Sequence, residues 1–420
     1  MNKHNHITCT ATLLTLLLIA FSTATHVQAS YGGSAQAPSG VTIYSFCGST
    51  SQGLLFAVGT NGTHGLIYRI TDLDSFPTTP IITQPPGKQY DSYSFHTCEV
   101  VGDYLFAVGE GVKKGKPRDG LIFVYSISNP SSPTLLASRK TATETDIGLV
   151  YRDVEVKLIS DTYYIYTLSV LSDGTTILDY APFSESTIGN PSSSTICSGA
   201  GCNGYGISMY GDYLGVLWRG SFNNLYLSIY SVSSGSLVFS QLVTVLQGFT
   251  SGWASVASYS GSFLVVAEGG IYRVYFSNSE WVVEVLVENA FSGNAYAVLV
   301  VEKSSAIAAY VLSQASTDIY ISAVDLVEKS VAYVDTVTTT SLSNYGDATV
   351  IWVDPGTKEI VSEGVQGARP FIVHGAGNGL AYYDLTRGGG FPYPVPEPWL
   401  ISLATIIAIV ISTVAILKKS

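Results

Sequence analysis

Leu55-Phe56-Ala57-Val58-Gly59 returns fifty residues later as Leu105-Phe106-Ala107-Val108-Gly109. Each copy runs on through a turn-rich insert to Gly65-Leu66-Ile67-Tyr68 or Gly120-Leu121-Ile122-Phe123. Pro77-Thr78-Thr79-Pro80 then matches Pro130-Ser131-Ser132-Pro133. A second signature, Gly102-Asp103-Tyr104-Leu105, comes back as Gly211-Asp212-Tyr213-Leu214. Weaker echoes stand at Ser160-Asp161-Thr162-Tyr163 and Gly261-Ser262-Phe263-Leu264. Elements recurring in this order mean one supersecondary unit copied along the chain, and such units bury their apolar faces against one another.

The unit reads as β. Residues 163–170 and 282–287 are rich in Tyr, Ile and Val, and clusters of Gly, Ser, Asp and Asn separate such segments. No stretch before the C-terminal tail shows the spacing of a packed helix. Four short strands per roughly 50 residues, in tandem, describe a β-propeller blade; a sandwich lacks the period, and solenoid coils are shorter. An aromatic opens the first strand of every unit: Tyr44, Tyr93, Tyr151, Tyr205, Trp253, Tyr296 and Tyr345, at separations of 43 to 58 residues. The expected fold is all-β: a β-propeller over residues 41–387 with seven four-stranded blades, six or eight being the neighbouring counts, plus one C-terminal transmembrane helix.

The order Gly102-Asp103-Tyr104-Leu105, hairpin, Ile127-Ser128-Asn129-Pro130-Ser131-Ser132-Pro133 resembles the LVIVD-type propeller repeats of exported bacterial and archaeal proteins. The match is good in the second unit, fair in the first and fourth, and poor in the last two. The resemblance implies a propeller and carries no assigned activity.

Both ends read as targeting segments. Lys3, His4 and His6 precede an apolar run over residues 13–21, and Val27-Gln28-Ala29 offers small residues before a cleavage point. Residues 1–29 therefore read as a secretory signal peptide, and residues 30–40 as a short linker. Residues 388–398 form a Gly/Pro-rich stalk. Residues 399–417 carry no charge over 19 positions, and as a helix they would extend about 28 Å, enough for a hydrocarbon core. Trp399 at the outer boundary and Lys418-Lys419 in the tail 418–420 orient the span with the domain outside the cell. Val395-Pro396-Glu397-Pro398 ahead of the span weakly resembles the PEP-type sorting signal of exosortase substrates, which implies removal of the anchor. The basic end is two lysines, and a retained single-pass anchor in the cell membrane is the preferred reading.

Cys9 leaves with the signal. Cys47, Cys98, Cys197 and Cys202 remain, and an even number in an exported chain predicts disulfides. Cys197 and Cys202 bracket a short Gly-containing loop, and Cys47 and Cys98 occupy matching places in neighbouring units. Asn61-Gly62-Thr63 is the single glycosylation sequon. Residues 31–398 hold 17 basic and 31 acidic side chains, a net charge of −14. That balance argues against nucleic acid and against anionic lipid headgroups as partners.

Motifs that make propellers enzymatic are missing. Ser172-Asp173-Gly174-Thr175 has the wrong spacing for a sialidase Asp box, no Gly-x-Ser-x-Gly elbow occurs, and five Trp do not supply quinoprotein docking motifs. Gly375-Ala376-Gly377-Asn378-Gly379 lacks the helix of a nucleotide loop and reads as a strand turn. Asp72-Leu73-Asp74 stands alone as a calcium motif. His64, His96 and His374 without a Cys-x-x-Cys make no zinc site, so neither metal nor cofactor is expected. The remaining candidates are polar groups near the starts of innermost strands: His96, Arg152, Asp153, Glu155 and Asp347. Alternate residues there face the central channel, where converging carboxylates bind a cation or share a proton, unless Arg152 pairs with one and simply closes the channel. The seven aromatics are expected to ring one end of it. Three functions follow. The first is a surface-anchored module binding a protein or glycan. The second is an extracytoplasmic enzyme working on saccharide or peptide at the channel mouth, and the third is a surface-layer or filament subunit.

Overall fold

The apolar runs become strands buried on both faces. Leu54–Thr60 is buried at every position, and so is Ser262–Ala267. This explains why the second strand of a unit reads as an unbroken hydrophobic run, since alternation belongs to sheets with one wet face. Outer strands such as Thr134–Thr145 are largely exposed.

A computed structural model describes residues 31–303, 306–316, 318–337, 348–376 and 378–385. Their strands pair into seven antiparallel sheets. The innermost strands are Thr42–Ser49, Ser92–Val101, Leu149–Ile159, Asn203–Tyr210, Ser255–Tyr259, Asn294–Lys303 and Ala348–Val353. Each packs beside the next, and the seventh beside the first, closing the ring. The fold is a seven-bladed β-propeller. Five sheets have four strands. In the third, Thr187–Ile188 and Ser192–Cys197 share the outer edge of Thr176–Ser184. The seventh adds Ile360–Val361 on the inner strand's free edge.

The expected linker over residues 30–40 is corrected by the structure. Tyr31–Gln36 is the outermost strand of the seventh blade, antiparallel to Gly379–Asp384. The first strand of the chain thus completes the last sheet.

Seven hydrophobic clusters fill the seven gaps between blades. The gap between the first two blades is aromatic, with Phe56, Phe95 and Phe123 packed among Leu54, Val58 and Leu105. The gap between the fifth and sixth is largely aliphatic, built on Leu264, Val266, Val298 and Val311.

Cys47 and Cys98 are paired at a Cα–Cα distance of 5.7 Å, joining the inner strands of the first and second blades. Cys197 and Cys202, 5.9 Å apart, staple the passage from the third blade to the fourth. Asn61 lies exposed in the first blade's hairpin turn, its Oδ1 accepting from the amides of Thr63 and His64. The proposed signal, stalk, membrane span and tail fall outside the described residues. Among the described residues no helix is long and apolar enough to cross a membrane.

Candidate functional site: the central channel

The glycine of the recurring Leu-Phe-Ala-Val-Gly motif shapes the channel. A Cβ at Gly59 would overlap the Thr42 carbonyl oxygen, and one at Gly109 would overlap that of Ser94. The bare backbone lets the inner strand ride over its neighbour, and a β-bulge follows at that point. In the first blade the register skips Tyr44, and in the second it skips His96. The same shift skips Arg152, Tyr205 and Tyr296 in the third, fourth and sixth blades. A bulge turns a side chain that strict alternation would send elsewhere.

These bulge residues form an arc. Tyr44 meets His96 edge-on, with centroids 5.2 Å apart. The Arg152 guanidinium lies 4.7 Å above the Trp253 ring, and Trp253 stacks on Tyr296 at 5.0 Å and 26°. Arg152, Trp253 and Tyr296, with Tyr205, Asp153 and Glu155, line a cavity of about 240 Å³. A second chamber of about 210 Å³ lies toward the first two blades, lined by Glu99, Thr97, both cysteines of the Cys47–Cys98 pair and again Asp153.

Three carboxyls reach across blade boundaries. The Asp153 Oδ2 atom accepts from the Ile207 amide at 2.9 Å, and its Oδ1 accepts from the Val154 amide at 2.9 Å. Glu155 accepts from the amide of Met209, and Glu99 from that of Val156. Each therefore satisfies an inward-facing N–H of the next inner strand, which has no ladder partner on that side. Burial pushes Asp153 up to about 7, the two amides opposing it. Glu155 rises to about 8, first by burial and then by the Asp153 charge. Burial also raises Glu99 far above the usual range, with Glu155 and Asp153 adding to the shift. These half-buried groups line narrow cavities between inner strands and are poorly hydrated, so desolvation dominates. These three carboxyls therefore take up protons well above the ordinary carboxylate range.

His96 behaves oppositely. Burial, and then the charges of Arg118 and Arg152, lower it to about 3. Its Nδ1 accepts from the Tyr151 amide at 3.2 Å, so the proton of the neutral ring sits on Nε2, 2.9 Å from the Ser94 hydroxyl.

Two expected channel residues are elsewhere. Tyr93 is packed between Tyr90 and Phe123 in the first inter-blade gap. Tyr151 is fully buried between the second and third blades, its hydroxyl 2.9 Å from that of Thr141. In both blades the bulge hands the channel position to a later residue, His96 or Arg152. Tyr205 lines the cavity and packs edge-on against Phe249 at 5.7 Å. Tyr345 and Asp347 lie outside the described residues. Among the described residues no group of three His, Cys, Asp or Glu side chains is arranged to hold a metal ion. Glu99 was missed by the sequence reading. Its signal was the repeat, for Glu99 follows His96 by three positions as Glu155 follows Arg152.

No protein-family model matches the chain, and no curated protein matches it. Among solved structures it is similar to U3-55K, with 9% identity, a TM-score of 0.49, and coverage of 84% of this chain and 98% of that one. It is also similar to a putative 6-phosphogluconolactonase from Bacteroides fragilis, at 12% identity, TM-score 0.48, and coverage of 80% and 99%. Sqt1 of Saccharomyces cerevisiae has 10% identity, TM-score 0.45, and coverage of 84% and 99%. Nothing about ligand or activity transfers at such identities.

Proposed function

We propose that the chain is an exported propeller of the LVIVD-like kind, displayed outside the cell on a C-terminal anchor, and that it binds a glycan at the channel mouth. The stacked pair Trp253–Tyr296 with Arg152 laid on it is the observation that carries the reading. Aromatic faces stack on the apolar faces of sugar rings, and a few polar groups then fix orientation. Asp153 and Glu155, protonated near neutrality, supply donors to hydroxyl oxygens without a charge to desolvate. The signal layout, the anchor and the two cysteine pairs support an extracytoplasmic location.

A panel of neutral oligosaccharides titrated into the full-length chain in detergent tests the site. Trp253→Ala should abolish measurable binding while leaving the melting temperature almost unchanged, since the ring is half-buried at a channel wall. Undiminished binding by the variant overturns the assignment. Protease added to intact cells should degrade the propeller; its complete survival contradicts the surface location.

A further inference from the structure

At one end of the second blade lies a cationic cleft. Two turns build it. Gly87–Tyr90 closes with the Tyr90 amide donating to the Gly87 carbonyl at 2.9 Å, and Lys113–Lys116 with the Lys116 amide donating to the Lys113 carbonyl at 3.2 Å. Gly115 takes the left-handed conformation (φ 67°) that this turn requires. The Asp91 amide donates to the Val112 carbonyl at 2.8 Å, and the Asp91 carboxylate accepts from the Lys114 amide, tying one turn to the other. The cleft encloses about 480 Å³ and is lined by Lys88, Lys113, Lys114 and Lys116 with Gln89, Tyr90 and Asp91. Four ammonium groups thus line it together with the Asp91 carboxylate, above a second, buried carboxylate.

Not all four are equally available. Buried Asp119 accepts from the Tyr90 hydroxyl at 2.6 Å and from Lys113 at 3.0 Å, and pairs with Lys140 at 2.8 Å. That buried carboxylate fixes the floor of the cleft, with Lys113 lying 4.7 Å above the Tyr90 ring. Lys88, Lys114 and Lys116 are exposed, and among the described residues none of the three has an ion-pair partner.

In a domain of net charge −14, such a local concentration of positive charge focuses potential on an anionic ligand. We propose that the cleft binds an acidic polysaccharide, a chain bearing uronate or sulfate groups. At physiological salt a charge is felt within about 8 Å. A single flexible chain can run between the two turns inside that range without spreading over the rest of an acidic domain. A planar anionic bilayer cannot. Ser92 pairs with Val112 at the start of the inner strand, so the cleft opens on the same face as Arg152 and Trp253. It stands on observations independent of the channel site.

Full-length protein should bind immobilised polygalacturonate or heparin, but not dextran, at about 0.05 M salt, and release it by about 0.5 M. The triple variant Lys88→Ala/Lys114→Ala/Lys116→Ala should weaken binding by on the order of tenfold or more. The matching triple Lys→Arg variant should retain it, and Trp253→Ala should leave it untouched. Binding that survives the alanine triple overturns the proposal. So does failure on both polymers, or stronger binding to poly-glutamate or to vesicles rich in anionic lipid than to either polysaccharide.

Discussion

The channel has two unlike sides. The wall given by the second and third blades carries Glu99, Asp153 and Glu155, whereas the wall given by the fifth and sixth carries Ser255, Ala257, Ala297 and Val298. Both face the same local need, an inner-strand amide without a ladder partner. On the plainer side Ser255 meets it: its hydroxyl accepts from the Val298 amide at 3.2 Å. A neutral hydroxyl is therefore enough to hold one blade to the next. The carboxyls add groups whose protons come off near neutrality, and these lie on one arc of the ring.

The largest expected effect is in the covalent staples, both of which lie away from the plainer wall. Replacing Cys47 and Cys98 by Ala opens a loop of 51 residues, and chain entropy puts the loss at about 4 kcal/mol. The short Cys197–Cys202 loop of 5 residues gives about 2 kcal/mol. Urea denaturation of the two double variants checks the ranking; equal losses would mean that loop length does not set the difference between the staples.

Titration comes next. Asp153 and Glu155 are raised in the folded state to about 7 and about 8, so the fold binds more protons than the unfolded chain. Their contribution is complete below the unfolded carboxyl range and is lost as pH rises through the folded values. His96, lowered to about 3, and His374, lowered to about 4, have the reverse sign. They stabilise fully above about pH 6.5 and lose that contribution as pH falls toward the folded values. Between about pH 7 and about pH 8 the acids should dominate, lowering stability by on the order of 1 kcal/mol. Glu155→Gln keeps the hydrogen-bonding shape and should flatten this decline. An unchanged slope would mean that the acids do not distinguish the two walls.

The smallest effect spans the boundary between the walls. Arg152 belongs to one side and Trp253 to the other, and their contact should appear as a coupling of about 0.5–1 kcal/mol in a double-mutant cycle to Ala. A coupling near zero would make the two walls independent.

Sequence periodicity reached the blade count because it is written in strands buried on both faces, where the pattern is strong. The channel lining was legible less completely. Arg152, Asp153 and Glu155 were within reach because they crowd the start of one strand. Tyr151 was displaced by a single residue, for a bulge reverses the face of everything before it. Alternation alone cannot show where a bulge falls, although the repeated glycines Gly59 and Gly109 mark the spot. Tyr31–Gln36 has the sequence Tyr-Gly-Gly-Ser-Ala-Gln, without a β-branched residue. It is a strand only because the edge of Gly379–Asp384 is there to receive it.

That late-arriving edge also sets an order of assembly. Gln36 pairs with Gly379, so the closing contact spans 343 positions (379 minus 36), and bringing such ends together costs about 5 kcal/mol in loop entropy. Six sheets can form from neighbouring segments as the chain is made. The seventh must wait for its final strand while its opening strand stays unpaired. The growing polypeptide therefore carries an open ring until its last blade has been made. The ring locks once, when the last blade is complete, and a chain truncated before Gly379 has no partner with which to lock.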